Sequence, residues 1–209
     1  MGKSLDKNSK KISQKYDRNA NMYDIFEAPM DRMVLARWRS EIMQELQGKV
    51  LEVGVGTGKN IDYYPDGLDI TAIDFSEKML EKAKERAAKL GKKVNLMLMD
   101  AQEMAFEDNT FDTVFATCVF CTVPDPVKGL QEIKRVCKKD GKIILIEHVR
   151  SEGRLVGVAM DILNPLVLGL TGTNINRRTV ENIEKAGFAN FKAEDIWRHI
   201  VKKIVIYND

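Results

Sequence analysis

Residues 50–59, Val50-Leu51-Glu52-Val53-Gly54-Val55-Gly56-Thr57-Gly58-Lys59, join an apolar run to an acid and then to glycine at every second position. That pattern describes a buried strand breaking into a tight turn whose backbone a ligand can approach, because glycine has no Cβ and tolerates positive φ. A dinucleotide-binding turn spaces its third glycine three positions after the second, for close helix–strand packing. Here Gly58 follows Gly56 by only two, which speaks against NAD.

Downstream, short apolar runs alternate with helical patterns. Strands are expected at 49–54, 70–74, 94–99, 111–117 and 142–147. A helix spans Glu77 to Leu90, opened by Ser76 as a cap and closed by Gly91; another runs from Pro126 to Cys137. This alternation indicates βαβ units and a parallel sheet, and continuous runs such as Ile143–Ile146 suit a sheet covered on both faces. The runs 191–196 and 199–207 then close the chain as an antiparallel pair, after a helix at about 176–186. Upstream, a Lys-rich helix at about 9–21 and a second helix from Pro29 to Gly48 precede the first strand. The apolar segment 154–170 is interrupted by Asp161, Asn164 and Pro165, too short and broken to span a bilayer. It reads either as core or as a greasy acceptor pocket or lipid-facing surface.

At 209 residues, 31% charged and 44% hydrophobic, the chain fits one soluble domain. A net charge of +2, with no basic stripe interleaved with aromatics, gives no reason to expect nucleic acid. The N-terminal segment is locally basic, with Lys3, Lys7, Lys10, Lys11, Lys15 and Arg18 against Asp6 and Asp17. Such a segment is ordinarily a solvated face, and an anionic membrane surface is the partner it would otherwise suit. Three cysteines without disulfide spacing, and no signal-like N-terminus, indicate the cytoplasm, with peripheral membrane attachment as the alternative. Cys118-x-x-Cys121 lacks a second ligand pair, so no metal is expected and the sulfurs are assigned to packing, one buried and one at the pocket.

In an open parallel sheet, ligands bind beyond the carboxyl ends of the strands, where strand order reverses. The glycine turn, Asp74 and Asp100-Ala101 all fall at such ends. Together they resemble the class I S-adenosylmethionine-dependent methyltransferases: Glu52-Val53-Gly54-x-Gly56-Thr57-Gly58 is similar to their first motif, Asp74-Phe75-Ser76-x-x-Met79-Leu80 to their second, and Asp100-Ala101 to their third. Phe111-Asp112-Thr113-Val114 and the Asp140-Gly141 turn match further landmarks, with Lys142 where a second glycine is usual. The resemblance covers 48–150. It implies a Rossmann-like α/β fold with a seven-stranded, mostly parallel sheet, a C-terminal antiparallel hairpin and N-terminal lid helices. One domain would comprise lid helices 1–47, a cofactor-binding core 48–150 and an acceptor-side segment 151–209.

The same resemblance assigns Gly54, Gly56, Thr57 and Gly58 to the methionine part of S-adenosylmethionine and has Glu52 orient the turn. Asp74, with Phe75, would take the ribose, Asp100 and Ala101 the adenine, and Thr117 and Cys118 would close the site beside the sulfonium; S-adenosylhomocysteine would be the product. Within the class, Tyr23-Asp24-x-Phe26 resembles ubiquinone/menaquinone C-methyltransferases and bacterial phosphatidylethanolamine N-methyltransferases. Cys121-Thr122-Val123, Glu147-His148-Val149, Leu163-Asn164-Pro165 and Gly172-x-Asn174-x-Asn176-Arg177 resemble the methyltransferase-like thiol S-methyltransferases. An amine or thiol acceptor must arrive deprotonated, so His148, Glu147, Tyr16, Tyr23 and Asp24 are candidate bases. The expected acceptor is small and rather apolar, a lipid amine or quinone precursor before a thiol. A cofactor-binding or membrane-surface protein without turnover is the reading from another class. Monomer and homodimer stay open.

Overall fold

The computed structural model describes residues 8–18 and 35–209. Helix α1 occupies 8–18 and α2 Ala36–Met43. They precede β1 (Lys49–Val53), a 3-10 turn (Lys59–Tyr63), β2 (Asp69–Asp74), α3 (Glu77–Leu90), β3 (Asn95–Leu98), β4 (Phe111–Thr117), α4 (Pro126–Val136) and β5 (Cys137–His148). Helices α5 (Arg154–Thr171) and α6 (Thr179–Lys185) lead to β6 (Phe191–Trp197) and β7 (Val201–Tyr207). The seven strands lie in the order β3-β2-β1-β4-β5-β7-β6. The first five pair in parallel, and β7 runs antiparallel to both β5 and β6. Strand order reverses between β1 and β4, and their carboxyl ends frame the site.

Period-two alternation sends neighbouring residues to two cores, one on each face of the sheet. Leu51, Val53, Ile143 and Leu145 enter one; Val50, Ile144 and Ile146 enter the other. All seven are fully buried, which is why these strands read as continuously apolar. Helix α3 begins where the Ser76 hydroxyl accepts from Met79 N at 3.2 Å and ends at Gly91, φ 64°. It buries Met79, Leu80, Ala83 and Ala87, one face at helical spacing.

Two expectations are corrected. Strand β5 begins at Cys137 rather than Lys142, because Phe111 pairs with Cys137 before the register slips to Thr113 opposite Lys142. The segment 154–170 does not form core. It is one helix, unbroken at Asp161, Asn164 and Pro165 and, by length and composition alone, long and apolar enough to cross a membrane, and among its residues only Gly157 and Met160 are buried.

Candidate functional site

The glycine turn folds back over the end of β2. Gly54 and Val55 N–H groups donate to the Ile73 carbonyl at 2.8 and 3.0 Å, and Gly56 N–H donates to Asp74 Oδ2 at 2.9 Å. All three glycines have positive φ, and they do three different jobs. A Cβ on Gly54 would stand 2.4 Å from Val119, so that position lets the turn touch the loop after β4. A Cβ on Gly56 would meet nothing within 4 Å and would project into open space. At Gly58 it would lie 2.7 Å from Ile61 and 3.1 Å from the Ala83 backbone, so this glycine seats the turn on α3.

Glu52 is fully buried beneath the turn. Asn60 Nδ2 donates to it at 2.6 Å and the Tyr64 hydroxyl donates to its other oxygen. Asn60 also donates to Thr117 Oγ1 at 2.6 Å and accepts from Arg39 Nη1 at 2.5 Å. Glu52 thus fastens the turn to the segment behind it without lining the cleft.

Beyond the strand ends opens a cleft. Gly54, Gly56, Asp74, Phe75, Asp100, Ala101, Thr117 and Cys118 line it, with Val119, Thr122 and Val123 on the β4 side. Asp74 Oδ1 accepts from Ser76 N at 2.9 Å, so each carboxylate oxygen is already aimed by one backbone amide. Asp100 accepts from Gln102 N at 2.9 Å, and Gln102 Nε2 lies 3.1 Å from both of its oxygens. Cys118 stands at φ 57°, a left-handed conformation that turns the chain sharply away from β4. That turn is anchored from below by Glu147, which accepts from Val119 N at 2.9 Å and from Phe120 N at 3.1 and 3.2 Å.

Helix α1 lies across the cleft. Gln102 donates to Ser9 Oγ at 2.7 Å, Ser13 Oγ donates to the Phe75 carbonyl at 3.1 Å, and Ser76 Oγ donates to Asp17 at 2.6 Å. Tyr16 lines the cleft, its ring 6.0 Å from Phe75 and its hydroxyl 3.2 Å from Thr173 Oγ1. Sequence reasoning overlooked Ser9, Ser13 and Asp17, although small polar residues at i, i+4 and i+8 mark one helix face. Asn60 and Gln102, which brace the two acids' surroundings, carried no comparable signal.

Of the remaining candidates, Thr57 lines a smaller adjoining hollow with Gly54, Gly56, Asn60 and Thr117, as well as the groove beside α3, while Gly58 packs against α3. Tyr23 and Asp24 lie outside the described residues. His148 is not among the cleft-lining residues either. It follows Glu147 on β5 and so points to the other face of the sheet, where burial holds its pKa down and Nδ1 is buried without a hydrogen-bond partner. Cys121 is buried and Cys118 half-buried at the cleft. Among the described residues no group of three His, Cys, Asp or Glu is placed to hold a metal ion.

Burial raises three carboxyl groups: Glu52 to about 7, Asp74 to about 6 and Glu147 to about 7. In each, the folded chain holds the proton more tightly than the unfolded chain does. Their contribution is therefore full below about pH 4 and is lost as pH rises through 6 to 7. Asp161 behaves oppositely: Arg150 holds it at about 2, and its contribution is lost only in strong acid. Calorimetric melting without ligand is expected to show a maximum on the mildly acidic side and a decline from about pH 5 to pH 7.5. A melting temperature that climbs across that range would contradict the raised carboxyls.

Residues 51–145 match the family model described as "Methyltransferase domain". Over 114 residues the chain is 42% identical to a phosphatidylethanolamine N-methyltransferase of Cereibacter sphaeroides, covering 53% of this chain and 56% of that one. Over 150 residues it is 32% identical to a thiol S-methyltransferase of Rattus norvegicus, covering 69% and 62%. The matched region thus spans less than two thirds of either relative's length. In fold, the chain is similar to a methyltransferase of Thermotoga maritima, with a TM-score of 0.70 at 21% identity over 94% of this chain and 99% of that one.

Proposed function

We propose, from the premise that this chain carries a class I S-adenosylmethionine-dependent methyltransferase domain, that it transfers the methyl group to an amine-bearing lipid of the phosphatidylethanolamine type. The observation that carries the cofactor assignment is the open position above Gly56, next to the two aimed oxygens of Asp74. A ligand's hydroxyl groups would find fixed acceptors there, and backbone could approach it without a side chain intervening. Asp100 and Ala101 stand further along the same wall and would meet the base. When bound, the cofactor supplies an electrophilic methyl group on a positively charged sulfur.

The chain's own part is alignment and exclusion of water. Thr117, Cys118 and Val119 form the wall of the cleft at the end of β4, and Tyr16 closes it from above. Glu147 is engaged with two backbone amides and His148 faces elsewhere. Among the described residues, the Tyr16 hydroxyl is the candidate proton acceptor that lines the cleft. An amine acceptor, neutral on arrival, fits a site that offers position more than basicity.

The 42% identity to a phosphatidylethanolamine N-methyltransferase supports the lipid amine. Calorimetric titration with S-adenosylmethionine and S-adenosylhomocysteine, followed by incubation of labelled cofactor with phosphatidylethanolamine vesicles, tests both halves. Binding with label in the lipid is the expected result. Absence of binding overturns the whole reading, and binding without lipid labelling overturns the acceptor.

One observation favours a thiol acceptor instead. Asn174 N–H and Nδ2 both donate to the Cys121 carbonyl, at 2.8 and 3.2 Å, and Arg177 donates to the Val123 carbonyl at 2.9 Å. The segments that resemble thiol methyltransferases thus meet at one wall of the cleft. Alkyl thiols and demethylated quinones in the same assay separate these acceptors from the lipid amine.

A further inference from the structure

Helix α5 turns an apolar face to the outside. Of the ten exposed large hydrophobic residues among those described, seven lie on it, including Leu155, Ile162, Leu163, Leu166 and Leu170. Leu155 is 87% exposed, Ile162 71% and Leu166 63%. At about 100° per residue, the exposed positions between Leu155 and Leu170, Asp161 apart, fill an arc of roughly half the helix circumference, and each is aliphatic, Gly or Pro. Exposed apolar surface of this extent is unusual on a free-standing soluble protein.

The polar side of α5 is what holds it to the domain. Arg150 pairs with Asp161 at 2.8 Å, and Asn164 Oδ1 accepts from Ile175 N at 2.9 Å. The helix is about 27 Å long; its polar residues pair with the segments that flank it in sequence, at Arg150 and at Ile175, and Lys15 of α1 holds its C-terminal end. That arrangement suits a helix lying in a membrane interface rather than crossing it.

A positive face adjoins it. Lys15 Nζ donates to the Leu168 and Gly169 carbonyls at 2.8 and 2.9 Å, fixing α1 against the C-terminal end of α5. On α1, Lys10, Lys11, Gln14 and Arg18 are exposed, while Ser9 and Ser13 turn inward to the cleft. An apolar strip next to a cationic helix matches the two layers of a bilayer surface, acyl chains and anionic headgroups. The same end of α5 leads directly to the site: Gly172 closes the helix, Thr173 meets Tyr16, and Asn174 meets the loop after β4.

We propose that α5 and the exposed basic face of α1 dock the chain on an anionic lipid bilayer, with the cleft opening beside the headgroups. This deepens the lipid-acceptor reading and rests on it for its purpose. The test, however, needs neither cofactor nor transfer. Sedimentation with phosphatidylcholine vesicles, with and without phosphatidylglycerol, should show binding that grows with anionic lipid and weakens in high salt. Ile162→Glu combined with Leu166→Glu should lower the partition coefficient at least about tenfold on both vesicle types. Lys10→Glu combined with Lys11→Glu should lower it about tenfold on anionic vesicles only.

The melting temperature and the S-adenosylmethionine affinity of each variant should stay at native values. In case a glutamate pair disturbs folding, Leu155→Trp gives an independent reading: its added emission should be quenched by brominated acyl chains. Native chain that stays in the supernatant with both vesicle types overturns the proposal, as does undiminished binding of the glutamate pair or an unquenched Leu155→Trp. A native dimer that the glutamate pair dissolves also overturns it, since a second copy then covers the face. Vesicle binding without S-adenosylmethionine binding would leave this docking intact and remove the methyl-transfer reading instead.

Discussion

Asp74→Ala is expected to weaken S-adenosylmethionine binding about 100-fold while the chain stays folded. The carboxylate is buried at the end of β2 and accepts from Gly56 and Ser76 amides, so its loss removes the ligand's acceptor and also frees the turn. Asp74→Asn keeps one oxygen and should cost about tenfold. Because burial raises Asp74 to about 6, native affinity should fall as pH drops through 6, where the group becomes protonated. Asp74→Asn should abolish that dependence. Isothermal titration across pH 5 to 8 checks both statements, and unchanged affinity in Asp74→Ala would remove Asp74 from the cofactor site.

Glu147→Ala should cost about 3 kcal/mol of stability, a fall of about 6–12 °C in Tm. The substitution orphans the buried Val119 and Phe120 amides and removes one of the acidic groups that face the Arg177 guanidinium, Asp125 being another. The damage should not stop at stability. Cys118 holds its left-handed turn only while the next two amides are anchored, and residues 117–119 form one wall of the cleft. S-adenosylmethionine affinity should therefore fall as well, while Glu147→Gln, which keeps one acceptor, should lose less than half as much stability. A Tm for Glu147→Ala within 2 °C of native would show that the turn needs no such anchor.

Much of the frame was legible because local chemistry and global fold agree there. The span Glu77–Leu90 is framed by a hydroxyl cap and a glycine end, and Val114, Phe115 and Ala116 of β4 supply apolar side chains to both faces of a doubly covered sheet. Where local signals could not decide, the structure supplied the answer through packing. A leucine-rich helix pattern fits a core helix and an exposed one equally, so the outward face of α5 was not readable from periodicity. Gly58 looked like part of a ligand turn, yet its constraint comes from Ala83, a neighbour distant in sequence. The tight turn before β7 has Arg198 and His199 at positive φ, positions where glycine or asparagine would have announced it, and so β7 starts two residues later than its apolar pattern suggested. At the cleft, the two acids were visible at their strand ends. The amides, Gln102 and Asn60 that aim them or brace the strands around them became visible only with the chain folded.

The bonds that join α1 to the rest of the molecule also bear on time. Ser9, Ser13 and Asp17 tie one short helix to the segments that follow both β2 and β3, through Gln102, Phe75 and Ser76. A spent cofactor lying under Tyr16 would leave when that helix lifts, and lifting breaks these bonds together with those of Tyr16 to Thr173, of Lys78 N to Asp17 and of Lys15 to the end of α5. Openings of this kind run in microseconds to milliseconds, and in many enzymes opening or product release rather than chemistry limits turnover. The pace of repeated cycles would then be set by a latch of serines and a lysine, far from any reacting atom.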